Sequence, residues 1–372
     1  FMSALASVAL ASCVNDEAME NTSKASDQKI TFNAPVVSGT TRAIAGEQPG
    51  NGGKYSTTES FRVYAQWDYD GTFEDWIEVN SDKQALYMSN VEVTYDSEKQ
   101  GWTSNDPVYY WPKTGALTFA AYSPSDVNNF NPSYSDAGLS VNGFTVQDLT
   151  ANQYDFMYSE RSQNCKNNTD KYILEESQNK SYSGVDILFK HALSSIQFKV
   201  KAADTYTGTT IRVKQVTILN AYSKGDFTED LNDTNGDGIK ASWSNWSDIK
   251  NYAVKTNANN QELNSGEAVA LAEANGVILL PQALKHNDME HVKVQVDYSI
   301  QNGTGPELAQ VAELNLVTGN KGDYYKEGTT NIEKWEMGKR YIYTITIGLD
   351  KIYFSPEVVD WVDVTVTPDL TI

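Results

Sequence analysis

The sequence predicts an all-β protein built as two tandem antiparallel β-sandwich domains. Apolar and polar residues alternate with a period of two in several segments, most clearly at residues 61–67 (FRVYAQW) and 292–296 (VKVQV), which is typical of half-buried strands. The chain also carries 22 Tyr, 12 Phe and 8 Trp residues, which strands accommodate well. No long window shows a capped apolar stripe of helical period. Together these observations indicate sheets rather than helices.

Strands are expected wherever such alternation, or a short apolar run, is bounded by turn residues. In chain order, the predicted strands cover residues 30–33, 61–67, 117–122, 154–158, 185–189, 195–201, 210–219, 277–280, 292–296, 340–347 and 359–367. Residues 126–138, 160–184 and 221–261 are rich in Asn, Ser, Asp and Gly, and are predicted to be long surface loops.

The length of 372 residues suggests two domains, at roughly one domain per 150 residues. The loop that ends at Gly184 is followed by an apolar run and a new series of strands, which places the boundary near residues 184–192. The predicted organisation is a signal remnant with a polar tether at residues 1–27, an N-terminal β-sandwich domain at 28–187 and a C-terminal one at 188–372.

Charge and cysteine content exclude several classes of function. The formal net charge of −20 and the pI of about 4.5 create a field that repels phosphate backbones, so nucleic acid is not expected as a partner. With two Cys and three His residues, the chain can form neither a disulfide framework nor a Cys/His zinc cage.

No motif indicates catalysis, and the sequence predicts a protein that is not an enzyme and has no catalytic residues. The acidic residues are scattered and show no pair of the kind that a glycosidase needs. The chain has no G-x-S-x-G elbow, and the three histidines show no partner by spacing. His191, at the start of a predicted strand, is expected to be a structural imidazole.

The N-terminal residues resemble those of an exported lipoprotein. Residues 1–12 (FMSALASVALAS) are small and apolar but too few to span a membrane as a helix. Residues 10–13 (LASC) resemble a lipobox, which predicts lipidation at Cys13. Residues 14–28 are polar and are predicted to form a flexible tether. The alternative is an ordinary signal peptide followed by a chance cysteine.

One loop matches part of a calcium-binding pattern and is called the calcium loop here (residues 233–238, DTNGDG). Asp233, Asn235 and Asp237 stand at positions 1, 3 and 5, where such loops place oxygen ligands. The twelfth position is Ser244 rather than the usual Glu, so the alternative is a plain surface turn. No cofactor is expected apart from this possible calcium ion.

Two tryptophans, Trp243 and Trp246, lie just beyond the calcium loop. One interpretation is a stacking platform for sugars. The other is that both side chains pack in the core or against loops.

Five segments in the same order resemble the fimbrillin family, the subunits of type V pili in certain Gram-negative anaerobes. Besides the lipobox and Thr41-Arg42-Ala43, the similar segments are residues 107–112 (PVYYWP) with 117–124 (LTFAAYSP), residues 186–196 (DILFKHALSSI), and residues 337–343 (MGKRYIY) with 359–361 (VDW). The resemblance implies transthyretin-like β-sandwich domains and export as a lipoprotein. It also implies assembly after an Arg-directed protease cuts between Arg42 and Ala43.

Both ends of the chain carry strands that fit such an assembly. Before Arg42, the even positions are apolar in a segment that we call the displaced strand: Ile30, Phe32, Ala34 and Val36. The same parity recurs in a C-terminal segment that we call the donor strand: Val362, Val364, Val366, Leu370 and Ile372. Loss of the first strand would uncover an apolar groove, which a neighbour's donor strand could fill in a head-to-tail filament. Alternatively, both segments are the outermost strands of a monomer.

These observations predict a structural or adhesive subunit of a type V pilus, exported as a lipoprotein and exposed on the outer membrane in a fimbrium. Its partners are other pilus subunits, head to tail, and, before processing, outer-membrane lipid through Cys13. A host or bacterial surface ligand is a further possible partner. The alternative is a monomeric lipid-anchored protein that binds surface glycans. Arg42 discriminates between the two, because a permanently tethered binder has no use for a cleavable arginine there.

Overall fold

A computed structural model shows an all-β protein, as the sequence predicts. The structure describes residues 29–33, 55–69, 84–98, 101–125, 127, 130, 132–135, 137–148, 153–165, 184–230, 240–254, 261–271, 276–286, 291–317, 332–350 and 352–361, and these contain no helix. The strands are β1 (Thr31–Asn33), β2 (Phe61–Asp68), β3 (Gln84–Asp96), β4 (Gly101–Thr103), β5 (Ala116–Ser123), β6 (Ser133–Ser135), β7 (Gly138–Thr145), β8 (Met157–Ser159), β9 (Ser162–Cys165), β10 (Val185–Asp186), β11 (Phe189–His191), β12 (Ser194–Ala202), β13 (Thr209–Glu229), β14 (Ala241–Val254), β15 (Gln261–Glu262), β16 (Val269–Ala270), β17 (Val277–Leu279), β18 (Lys293–Asn302), β19 (Glu307–Asn315), β20 (Lys339–Ile347) and β21 (Ile352–Asp360).

The first sheet has nine strands in the order β10-β1-β4-β3-β2-β5-β8-β11, with β9 paired to β5. Its two outermost strands, β10 and β11, are separated in sequence only by Ile187 and Leu188. Because the three Cα–Cα steps from Asp186 to Phe189 span at most about 11 Å, the sheet must curl until its two edges lie close together. The curled sheet surrounds an apolar core that includes Phe32, Phe61 and Phe119.

Two further sheets share a second apolar core. One has five strands in the order β16-β12-β20-β21, with β17 paired to β12. The other has seven strands in the order β19-β18-β13-β7-β6, with β14 and β15 paired to β13. Phe198 and Tyr343 of the five-stranded sheet belong to the same buried cluster as Val216 and Val294 of the seven-stranded sheet.

The sequence predicts a domain boundary at residue 187, but strands from each side of this residue pair with strands from the other side. Residues 133–145 form β6 and β7, and β7 pairs with β13 of the later sheet. Residues 189–191 form β11, which pairs with β8 of the earlier sheet. The division at 187 and 188, and the transthyretin-like sandwich arrangement, stay predictions.

The prediction of a loop over residues 221–261 is wrong for most of its length. Strand β13 extends to Glu229, and β14 occupies residues 241–254. Two register shifts interrupt the pairing of these strands, and Asn245 and Asp248 adopt positive φ angles. Such bulges move side chains from one face to the other, so the alternation that marks a strand is lost. The middle of β14 is also exposed, which explains its polar, loop-like composition.

Candidate functional site

The displaced strand begins in the described part of the chain as β1, which lies inside the first sheet rather than at its edge. β1 runs parallel to β10, where Phe32 is opposite Val185. On its other side β1 runs antiparallel to β4, where Phe32 is opposite Trp102. The Ile30 amide also donates to the Tyr109 carbonyl at 3.0 Å. This short segment therefore satisfies the backbone groups of two neighbours at once.

The side chains of β1 and of the residue before it complete the first core. Ile30 and Phe32 are buried, and Phe32 has no exposed surface. The Phe32 ring makes edge contacts with Phe119 and Phe61, at centroid distances of 5.4 and 6.1 Å. At roughly 1.5–3 kcal/mol for each large apolar side chain, burial of these two residues contributes about 3–6 kcal/mol to the stability of the intact fold.

The close packing of β1 against the start of β10 requires a glycine at position 184. Gly184 has a φ of +80°, and a Cβ built on it would lie 2.7 Å from the carbonyl carbon and oxygen of Thr31. A side chain here would collide with the backbone of β1, so Gly184 permits the close approach of β1 to β10.

The opposite end of the described chain is held in place by Trp361. This residue directly precedes the donor strand and is fully buried. Its indole ring stacks on the His191 imidazole with the centroids 4.0 Å apart and the planes 5° from parallel. Its amide donates to the Gly338 carbonyl at 2.9 Å. These contacts hold the last described residue of the chain in the core.

His191 is a structural residue, as the sequence predicts. It is buried in β11, and its Nδ1 lies 2.6 Å from an Asp155 carboxylate oxygen. The ring is thus held between Asp155 and Trp361.

The two tryptophans beyond the calcium loop do not form a joint platform. Trp243 is buried, makes edge contacts with core aromatic rings such as Phe227, and donates from its indole nitrogen to the Ala192 carbonyl at 2.7 Å. Trp246 is 41 % exposed and donates to the Pro281 carbonyl at 2.8 Å. The core interpretation is therefore confirmed for Trp243, and the sugar platform proposed for the pair is wrong.

Most of the predicted site residues lie outside the described residues, so the structure places none of their side chains. They are Cys13, Arg42, Ala43, the calcium-loop residues Asp233, Asn235 and Asp237, the displaced-strand residues Ala34 and Val36, and the donor-strand residues Val362, Val364, Val366, Leu370 and Ile372. Within the described ranges, no group of three or more acidic, His or Cys side chains is placed to hold a metal ion. Nor does any helix in those ranges have the length and apolar character needed to cross a membrane.

Sequence reasoning missed the residues that flank β1, and it missed a buried acid. Trp102 and Val185 are separated from β1 by long stretches of chain, and no local pattern identifies them as its neighbours. Glu229 was detectable, because a period of two places it on the same face of β13 as buried Phe227. Its Oε2 accepts a hydrogen bond of 2.7 Å from the Leu139 amide, which connects β13 to β7.

Comparisons with known proteins find a matching family model and solved structures with a similar fold. A family model described as fimbrillin-like matches residues 41–361. A fimbrial protein from Bacteroides vulgatus has a similar structure, with a TM-score of 0.55 and 16 % identity over 90 % of this chain and 99 % of that one. A fimbrillin from Porphyromonas gingivalis matches with a TM-score of 0.39 and 11 % identity over 91 % of this chain and 99 % of that one. The comparison with curated proteins finds no similar sequence.

Proposed function

Since the chain belongs to the fimbrillin-like family, we propose that it is a structural or adhesive subunit of a type V pilus that polymerises by donor-strand exchange. The proposal includes export as a lipoprotein, processing by an Arg-directed protease and incorporation into a surface fimbrium. The fimbrillin-like family is a family of fimbrial and adhesion proteins, and a subunit of this kind needs no catalytic residues.

The observation that carries this proposal is the position of β1 between two strands. If cleavage after Arg42 released β1, both β10 and β4 would lose a hydrogen-bonding partner. The core would also lose Ile30 and Phe32. Exposed strand edges beside an apolar groove are the surface to which an extended peptide adds as a strand.

The donor strand supplies such a peptide. Its apolar residues recur at even positions, as they do in the displaced strand, so one face can enter the core while Asp363 and Thr365 face outwards. Trp361 is anchored in the core of the donating subunit. Residues 362–372, which follow it, would extend to the neighbouring subunit. A contact between a groove on one copy and a strand from the next is heterologous and propagates as a filament.

Lipid attachment at Cys13 would deliver the subunit to the outer membrane before processing. The LASC sequence and the polar tether after it support this step. Acyl chains contribute about 0.8 kcal/mol per buried methylene, so two or more of them give durable anchoring. Cells fed a tagged fatty acid should label the wild-type protein, and equal labelling of Cys13→Ala would refute lipidation at this residue.

The function is tested by following polymerisation of the purified chain after Arg-directed proteolysis. Wild type should form filaments visible by electron microscopy, whereas Arg42→Ala should stay monomeric in size-exclusion chromatography. Val364→Asp should fold and receive a strand but not donate one, because the charge lies on the buried face of the donor strand. Thr365→Asp, on the opposite face, is the matched control and should still polymerise. Filaments from a chain ending at Trp361 would show that the donor strand is not the C-terminal segment.

The alternative of a monomeric glycan-binding protein receives no support from the described residues. The pair of tryptophans proposed as its platform is divided between the core and the surface. We therefore retain the pilus subunit as the proposed function.

A further inference from the structure

The groove that β1 occupies has an aromatic-sized pocket at its centre. Phe32 fills this pocket completely and meets Phe61 and Phe119 edge-on, with interplanar angles of 84° and 86°. Edge-to-face geometry of this kind adds a preference for an aromatic ring beyond the area that it buries.

The rings that line the pocket, Phe61 and Phe119, pack against further aromatic rings. Phe61 contacts Trp102 at 5.3 Å and Phe189 at 5.4 Å, while Phe119 contacts Trp111 at 5.9 Å. All of these side chains are buried. A network packed on several sides cannot collapse readily around a smaller side chain, so a Val or Leu in place of Phe32 would leave unfilled space.

The chain's own donor strand carries no aromatic residue. Its sequence, VDVTVTPDLTI, presents only Val, Leu and Ile on the apolar face. If a second copy donated this strand, the Phe32 pocket would receive a smaller side chain than the one it held before cleavage.

We infer that the groove selects an incoming strand with an aromatic side chain at the position of Phe32, so that its preferred donor is a different subunit bearing such a strand rather than a second copy of this chain. This inference rests on the strand exchange proposed above and identifies the partner by its chemistry. Copies of this chain would still pair with one another, but through a contact that is underfilled at the centre of the groove.

The test measures binding of peptides to the full chain after Arg-directed cleavage, at concentrations too low for polymerisation. The first series uses the peptide of residues 28–37, its Phe32→Val variant and, as a control on the opposite face of the strand, its Thr31→Val variant. Fluorescence anisotropy should show that Phe32→Val binds at least about tenfold more weakly, which corresponds to about 1.4 kcal/mol. Thr31→Val should bind within about threefold of the native peptide.

The second series uses the peptide of residues 362–372 and variants with Phe at single positions. Among Val362→Phe, Val364→Phe and Val366→Phe, one should bind at least about tenfold more tightly than the native peptide, while Thr365→Phe should not. Equal binding of the native and Phe32→Val peptides, or no gain from any Phe on the apolar face, would overturn the inference while leaving strand exchange intact. Failure of every peptide to bind the cleaved, folded chain would instead overturn strand exchange, and the inference with it.

Discussion

Glu229 should make the stability of this protein fall as the pH rises. The side chain lies at the end of β13 and is almost completely buried. Burial raises the pKa of its carboxyl group to about 8, against the opposing effects of the Leu139 hydrogen bond and the positive charges of Arg161 and Lys190. The negative charge of Glu160 adds slightly to the increase. Glu229 is therefore mostly protonated in the folded protein at neutral pH.

The direction of the effect follows from proton linkage. The folded-state pKa of about 8 exceeds the ordinary value of 4.5, so between these values the folded state binds a proton that the unfolded state has released. The stabilisation is complete below pH 4.5 and is lost as the pH rises through 8. The difference between the two pKa values corresponds to an upper limit of roughly 5 kcal/mol.

The substitution Glu229→Gln tests this pH dependence. The Gln side chain stays neutral at every pH and keeps an oxygen to accept the Leu139 hydrogen bond. Relative to wild type, its free energy of unfolding should be similar near pH 4.5 and higher by several kcal/mol near pH 9. Urea unfolding followed by tryptophan fluorescence across this pH range measures the difference. Glu98→Gln, at an exposed carboxylate, is the control and should show no such divergence. Parallel curves for wild type and Glu229→Gln would show that the burial of Glu229 does not couple the stability of the protein to pH.

Gly184→Ala should destabilise the intact chain by more than the roughly 1–2 kcal/mol of left-handed strain, because its Cβ would lie 2.7 Å from Thr31. Gly208→Ala, with a similar φ and no atom within 4 Å, is the control, and equal losses in urea unfolding would contradict the clash. Trp361→Ala should lower the free energy of unfolding by about 3–5 kcal/mol, since the ring is fully buried against His191. A loss below about 1 kcal/mol would show that Trp361 does not anchor the donor strand. If the calcium loop binds its ion, millimolar calcium should raise the melting temperature relative to chelator. An unchanged melting temperature would exclude a site that binds in this range.

The sequence alone determined the fold class and the position of most strands. Alternation with a period of two records which side chains face the core, and this is a local property of the chain. It correctly predicted strands at residues 61–67, 292–296 and 340–347, and the burial of Ile30 and Phe32. Where bulges shift that parity, as in β13 and β14, the same pattern failed.

Which strands are neighbours is visible in the folded structure and not in the sequence. β1 pairs with β10, about 150 residues later in the chain, and no local pattern encodes a contact between segments so far apart. That pairing turns an ordinary alternating segment into an internal strand whose removal would open a groove with two free edges. The same limit applies to Glu229, whose face follows from alternation but whose raised pKa follows from the burial that the surrounding strands impose. The periodicity of the sequence determines on which face of a strand a side chain lies. The residues that this side chain contacts depend on the packing of segments that are distant in the sequence.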